Sequence, residues 1–365
     1  MKQIKFDLQE ITMKCKAPVI FIFICLVNLP ALAQTISDTT ALKTIIPVDS
    51  PYIKYYDHYL NVTTGWNTRN TQFIIAYPQY NLRFVLSPKE TNQFNVSLDY
   101  SFLYLYYSFT PDAFNLNKED TIKGNTERLT FGTGFSFERW NFNFSYQNIK
   151  GYYLHNTNEF IPDWSKGDAY IQYPDLRTIQ VSGQIGYNLN KKFSISSLTS
   201  GKEQQLKTVV TFFPILAYWN SKLKDEKIDS TQKVANVLSV NNDVNLVLPA
   251  AINFIFAKNF YIAAFAGPII GVDFFKANGY DSTDHAIRTS GTKLSTGYYV
   301  RASIGYTSKK FYVGMDAFAR NYGHQQQDQK FIKYTYGLQA YIGTRFNPPR
   351  FLKNTVTWLQ KINPL

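Results

Sequence analysis

Cysteine is almost missing from this chain of 365 residues. It has two, Cys15 and Cys25, and both lie near the N-terminus, within residues 1–33. From Gln34 onward there is none, which excludes a disulfide framework, a thiol nucleophile and a Cys-ligated metal from that part. Histidine is scarce as well. His58, His155, His285 and His324 are the full set, and no two stand at the short spacing of a metal-binding pair. No metal, no cofactor and no catalytic constellation is expected. Long apolar runs are absent after the N-terminal stretch, and the mean hydropathy of -0.24 is too low for a bundle of membrane helices. The net charge is +12, yet the basic residues are dispersed and accompany no nucleic-acid motif, so no nucleic-acid partner is expected.

What the chain has is aromatic residues in alternation, with 27 Tyr and 29 Phe. Leu129, Phe131, Phe135 and Phe137 alternate with Thr130, Gly132, Gly134 and Ser136. After Glu138-Arg139, Trp140, Phe142, Phe144 and Tyr146 alternate with Asn141, Asn143, Ser145 and Gln147. A two-residue turn pairs Phe137 with Trp140, so both apolar rows share one face. One wall of this ribbon is aromatic and the other small and polar. That is the pattern of a strand pair with lipid on one side and a watery lumen on the other.

The same unit recurs. The alternation predicts twelve strands: Tyr59–Thr68, Tyr77–Leu86, Gln93–Phe109, Arg128–Phe137, Trp140–Gln147, Arg177–Leu189, Leu206–Trp219, Val244–Phe256, Phe260–Phe275, Leu294–Tyr306, Phe311–Tyr322 and Phe331–Phe346. Short links (Ser87–Asn92, Glu138-Arg139, Ala257–Asn259, Thr307–Lys310) alternate with long ones, as in outer-membrane barrels. Asn190–Gln205 breaks this rule: it is long, lies on the short side and holds the strand-like Phe193–Ser196, so an inward fold and an extra strand both stay open. Lys14 and Lys16, the apolar run from Ala17 and Ala31-Leu32-Ala33 read as a cleaved signal peptide over 1–33. A periplasmic lead-in (34–57), a barrel (58–346) and a periplasmic tail (347–365) follow. In the tail, Phe351, Val356, Trp358 and Leu359 suit one side of an interfacial helix, with a frayed end as the alternative. The expected fold is all-β: a closed antiparallel transmembrane barrel of about twelve strands with both termini periplasmic. Aromatics beside the short turns (Phe137, Trp140, Phe193, Phe256, Phe260, Tyr306, Phe311, Phe346) suit an interfacial girdle, and Lys89, Lys191, Lys192, Lys258, Lys309 and Lys310 gather at the same turns.

Several short stretches carry a family resemblance. They are Tyr56-Asp57, Leu86-Ser87-Pro88, Lys123-Gly124-Asn125-Thr126, Lys150-Gly151-Tyr152-Tyr153-Leu154, and Phe193-Ser194 with Glu203-Gln204-Gln205-Leu206-Lys207. Through them the chain, over roughly Tyr52 to Phe346, resembles an uncharacterised domain-of-unknown-function family of bacterial outer-membrane barrels. The resemblance implies an outer-membrane barrel and transfers no catalytic residue.

Candidate functional residues follow from position. Asp99, Arg301, Asp316, Arg320, Lys333 and Arg345 stand in lumen-facing rows, as a charge lining or a network of ion pairs. Glu138 is placed with them. Phe160, Trp164, Tyr170 and Tyr173 crowd one outer loop, where aromatics stack on ligands or on each other. His155, His285 and His324 fall in or beside outer loops. Lys123-Gly124 and Lys150-Gly151 flank one hairpin, where an anion shared with Arg128 is an option beside simple strand bends. The leading expectation is a narrow barrel with a structural or loop-mediated binding role, not an enzyme. A passive channel for small solutes comes second and an outer-membrane hydrolase third. Expected partners are outer-membrane lipid, lipopolysaccharide and a small solute or surface ligand.

Overall fold

A computed structural model of the chain describes residues 49–362, apart from 91, 111–119, 199–200, 227–236, 281–285 and 327–328. The segment read as a signal and His285 lie outside the described residues.

The strands are β1 (Ile53–Tyr55), β2 (Leu60–Tyr77), β3 (Leu82–Ser87), β4 (Asn92–Tyr100), β5 (Leu103–Phe109), β6 (Glu127–Phe137), β7 (Trp140–Leu154), β8 (Gln172–Tyr187), β9 (Glu203–Gln205), β10 (Val209–Phe212), β11 (Ile215–Asp225), β12 (Val237–Val247), β13 (Ala250–Ala257), β14 (Phe260–Tyr280), β15 (Ala286–Thr307), β16 (Phe311–Gln326) and β17 (Gln329–Phe346). Twelve of them close an antiparallel ring: β2, β4, β5, β6, β7, β8, β11, β12, β14, β15, β16 and β17, with β17 paired back to β2. Closure leaves no sheet edge, which lipid requires. β10 and β13 continue β11 and β12 after breaks at Pro214 and Pro249, where a proline cannot donate to the ladder.

Side-chain alternation sets the two surfaces. Leu98, Leu105, Phe135, Phe144, Ile185, Leu216, Val244, Ile262, Val300, Val313 and Leu338 come from eleven different ring strands, and all point outward and are exposed. Their neighbours along each strand are polar, small or aromatic and face the lumen. An apolar exterior around a closed, largely polar interior is the architecture of an outer-membrane β-barrel. At the short-turn end the outward rings form a belt: Phe256, Phe260, Tyr306 and Phe311 touch in sequence at 5.9, 4.9 and 5.5 Å between centroids. Phe193 is not in it. That ring is 2% exposed and lies inside the barrel.

The strand number agrees with the alternation in the sequence, but the strands reach further at the long-loop end, β14 to Tyr280 and β15 from Ala286, and two divisions between strands differ. Tyr59–Thr68 and Tyr77–Leu86 are not successive ring strands. β2 runs on to Tyr77, and β3 folds back on its upper half. Gln93–Phe109 is not one strand. It turns at Ser101, whose φ of 55 reverses the chain within two residues. Ser87–Asn92 therefore lies at the long-loop end, and the tight turn of this region is Ser101-Phe102. Lys89, read as a short-turn lysine, is buried at the opposite end. Glu138 occupies a tight turn with φ 48, so it is no lumen residue.

At the long-loop end β3 pairs with β2 on one side and with β7 on the other, through Leu86↔Leu154 and Ser87↔Tyr153. One strand there stands where β4, β5 and β6 stand below, so the ring narrows. The arch is fastened by Thr126, whose hydroxyl accepts from the Lys89 amide and donates to the Gly151 carbonyl, both at 2.9 Å. Gly151 has φ 90, and a Cβ there would meet the Asn125 carbonyl at 2.0 Å, so only glycine lets β7 bulge under the arch.

After the last strand, Arg350–Ile362 is helical, with Phe351 and Trp358, two turns apart, both exposed.

Candidate functional site

The short-turn end is filled from within. Residues 188–198 and 201–208 fold into the lumen, and β9 within them pairs with β1. Ile53, Tyr56, Phe193 and Leu198 are buried in this plug. Asn253 of the wall donates to the Ser194 carbonyl at 3.2 Å and the Ser197 hydroxyl at 2.8 Å. Gln204 donates to the Thr307 carbonyl at 3.2 Å. Arg345 stacks over Tyr56 at 3.9 Å and donates to the Gly201 and Ser308 carbonyls. A Cβ on Gly201 would lie 2.1 Å from the Tyr312 ring, so plug and wall are in direct contact.

The long-loop end is closed by apolar side chains. Phe73, Ile149, Tyr152 and Leu176 form one buried cluster, joined by Leu223, Leu238 and Phe331. Phe331 also contacts His324, which stacks on Phe275 at 5.2 Å. Between plug and cluster lies a cavity of about 330 Å³. Ile195, Ser196, Leu198 and Lys202 of the plug form its floor. Asn67, Gln93, Asn95, Ser97 and Thr130 line one wall, and Phe213, Ile215, Trp219 and Phe265 line the opposite one.

Of the sequence-derived lumen residues, Asp99, Arg301, Arg320 and Lys333 line this cavity. Asp316 is 3% exposed and holds Arg301 through Nη2···Oδ1 at 2.9 Å. Arg320 lies over Trp219 at 4.3 Å. Lys333 is 2% exposed between the Phe73 and Tyr322 rings. Arg345 belongs to the plug contact. The aromatic loop packs on itself: Phe160 stacks on Phe84 at 5.0 Å, Trp164 meets Tyr170 at 4.8 Å, Tyr170 meets Tyr153 at 4.9 Å, and Tyr173 packs on the upper cluster. His324 is a strand residue facing inward, with Nδ1 2.7 Å from Asp273 Oδ2, and His155 stands apart at the end of β7. No group of three metal-ligating side chains occurs among the described residues. Lys150 pairs outward with Asp175 and Glu226, and Lys123 lies over Tyr153, so neither joins Arg128 in an anion site. The plug, the upper cluster and the Asp273–His324 pair do not show in the sequence pattern. The one signal of them there is the overlong Asn190–Gln205 link.

Residues 47–346 match the model of a family described as Domain of unknown function (DUF4421). The chain belongs to that family. The stretches that carry the family resemblance fall in the DUF4421 barrel's closures: Tyr56-Asp57, Phe193-Ser194 and Glu203–Gln205 in the plug, Ser87-Pro88, Thr126 and Gly151 at the arch. No curated protein matches the chain. Among solved structures, the DUF4421 chain is similar to the toluene transporter TodX of Pseudomonas putida (8% identity, 80% of this chain and 90% of that one, TM-score 0.28). It is also similar to the translocator domain of the autotransporter NalP from Neisseria meningitidis (11% identity, 79% and 88%, TM-score 0.32).

One titration bears on the DUF4421 plug. Burial raises the Glu203 carboxyl above its ordinary range, with Asp57 adding to the rise and the Lys202 ammonium and Ser194 hydroxyl opposing it. The docked plug thus binds this proton more tightly than a released one. Docking is fully favoured below the ordinary carboxyl range, about pH 4, and weakens as pH rises through the raised value. Spin labels at Lys191→Cys and Lys309→Cys, in a chain otherwise free of cysteine from Gln34 on, are expected to show a distance distribution that broadens with rising pH. Glu203→Gln is expected to remove that dependence; a pH response unchanged by Glu203→Gln contradicts the assignment.

Proposed function

We propose that this barrel is a closed chamber that holds a small polar solute, and not a constitutively open pore. The observation that carries the reading is the cavity's position between the plug below and the buried Phe73 cluster above. A passive channel needs a continuous wet path, and an apolar constriction blocks ions even without full steric closure. A volume of about 330 Å³ lies within the range of small-molecule sites. No enzymatic step is part of this reading. The short-turn end then faces the periplasm, and the exterior meets outer-membrane lipid, with lipopolysaccharide around the long loops.

The test is single-channel recording of the folded protein in a planar bilayer, with folding verified by heat-modifiable migration in gels. The expected result is silence across the voltage range. Discrete, frequent steps from the unaltered protein would overturn the chamber and favour a passive channel.

A further inference from the structure

We infer that the chamber binds a small oxyanion at the top of its polar wall, where Arg69 and Arg128 converge. The inference rests on the closed-chamber reading and names what the chamber takes.

Most other lumen cations have partners within the protein. Arg301 has Asp316, His324 has Asp273, Arg320 lies over Trp219, Lys333 lies between the Phe73 and Tyr322 rings, and Arg345 donates to the Gly201 carbonyl of the plug and the Ser308 carbonyl of a wall turn. Arg69 and Arg128 differ. They come from β2 and β6, two strands that do not pair, and they meet because the walls draw together below the arch. Arg128 Nη1 donates to the Arg69 carbonyl. Its Nε and Nη2 are buried and have no partner, and the residue is 7% exposed. Arg69 lines the cavity and rests on the Phe318 ring at 5.0 Å. Among the described residues no carboxylate pairs with either guanidinium.

The positive charges of Arg69 and Arg128 repel each other, and a lumen walled by protein screens them poorly. A negative ligand removes that cost. The surroundings are donors rather than acceptors in waiting. Gln93 is 1% exposed, lines the cavity, and its Nε2 has no partner. Gln180 lines the same cavity with an unpartnered Nε2 of its own. Arg69 and two free amide donors on the cavity lining, with the free N–H groups of Arg128 beside Arg69, suit the oxygens of a carboxylate or a phosphate. The apolar wall opposite, with Trp219 and Phe265, accommodates the rest of an organic acid.

The experiment is calorimetric titration of the folded barrel in detergent with inorganic phosphate and, separately, with succinate. Saturable binding of at least one is expected, and the probe that binds tells phosphate from carboxylate. Arg69→Gln and Arg128→Gln are each expected to weaken it about tenfold or more, since each removes a charge-assisted bond. Arg83→Gln, which alters only the exposed pair with Glu159, is expected to bind as the parent does. If Arg128→Gln does not fold, Gln93→Met, which keeps the packing volume and removes only the amide, carries the test with a severalfold loss. Absence of binding for both probes, or equal affinity in the Arg69 and Gln93 variants and the parent, overturns the site. A silent bilayer with no binding defeats the anion site alone. Steps in the bilayer defeat the chamber, and the site then stands or falls on anion selectivity that Arg69→Gln abolishes.

Discussion

Gly201→Leu combined with Phe331→Ala is expected to turn a silent barrel into a conducting one, while each change alone leaves conductance near zero. The two closures stand in series. Leucine at 201 drives its side chain into the Tyr312 ring, which cannot step aside because it is 2% exposed and its hydroxyl is bonded to Thr63 at 2.5 Å. Overpacking of this kind costs about 1–3 kcal/mol. The plug has an escape that a core lacks, since it can leave toward the short-turn end. Phe331→Ala opens the upper cluster where it meets Phe73 and His324. Planar-bilayer recordings on the parent, both single variants and the double variant decide the matter. Full conductance in Gly201→Leu alone would show that the upper cluster is no barrier. A silent double variant that is correctly folded would show that the plug does not seal the lumen as described.

Arg301→Met is expected to destabilise the barrel far more than Asp316→Asn. The two residues share one ion pair but not one environment. Asp316 is 3% exposed, and its Oδ2 already lacks a partner, so removal of Arg301 strands a buried carboxylate. Breaking a buried pair from that side costs about 3–5 kcal/mol. Arg301 lines the cavity, so its guanidinium keeps access to whatever the chamber holds when Asp316 is neutralised. That loss is closer to one hydrogen bond, about 1–2 kcal/mol. Urea unfolding in detergent, followed by the shift between folded and unfolded bands, measures both. Equal losses, or a larger loss for Asp316→Asn, would contradict the asymmetry.

The parts of the barrel that alternate are legible in the sequence. Residues such as Phe135 and Trp140 announce a lipid-facing row because the period of a strand is two, and this register runs through most of the ring. The parts that close the barrel do not alternate. Phe193, Ser194 and Gln205 are buried in the plug without any strand period, and Phe193 beside a turn looks the same in sequence as a girdle aromatic. The failure at Gln93–Phe109 has a related cause. Alternation continues through Ser101-Phe102 because a two-residue turn keeps both strands in phase on one face, so only the φ of Ser101 separates one long strand from two short ones. The Arg69–Arg128 pair is hidden for a different reason. It depends on β3 replacing three strands at the narrow end, a pairing between residues 86–87 and 153–154 that no local pattern encodes.

The β1–β9 pairing joins Ile53–Tyr55 to Glu203–Gln205, across most of the first half of the chain. This has a consequence for the order of assembly. Contacts so distant in sequence form late. The plug therefore cannot settle until β2 through β8 have been threaded past it, and a nascent barrel must carry a hollow, hydrated core until that moment. Docking of the first strand is thus a late event, which follows the laying down of the wall between β2 and β8.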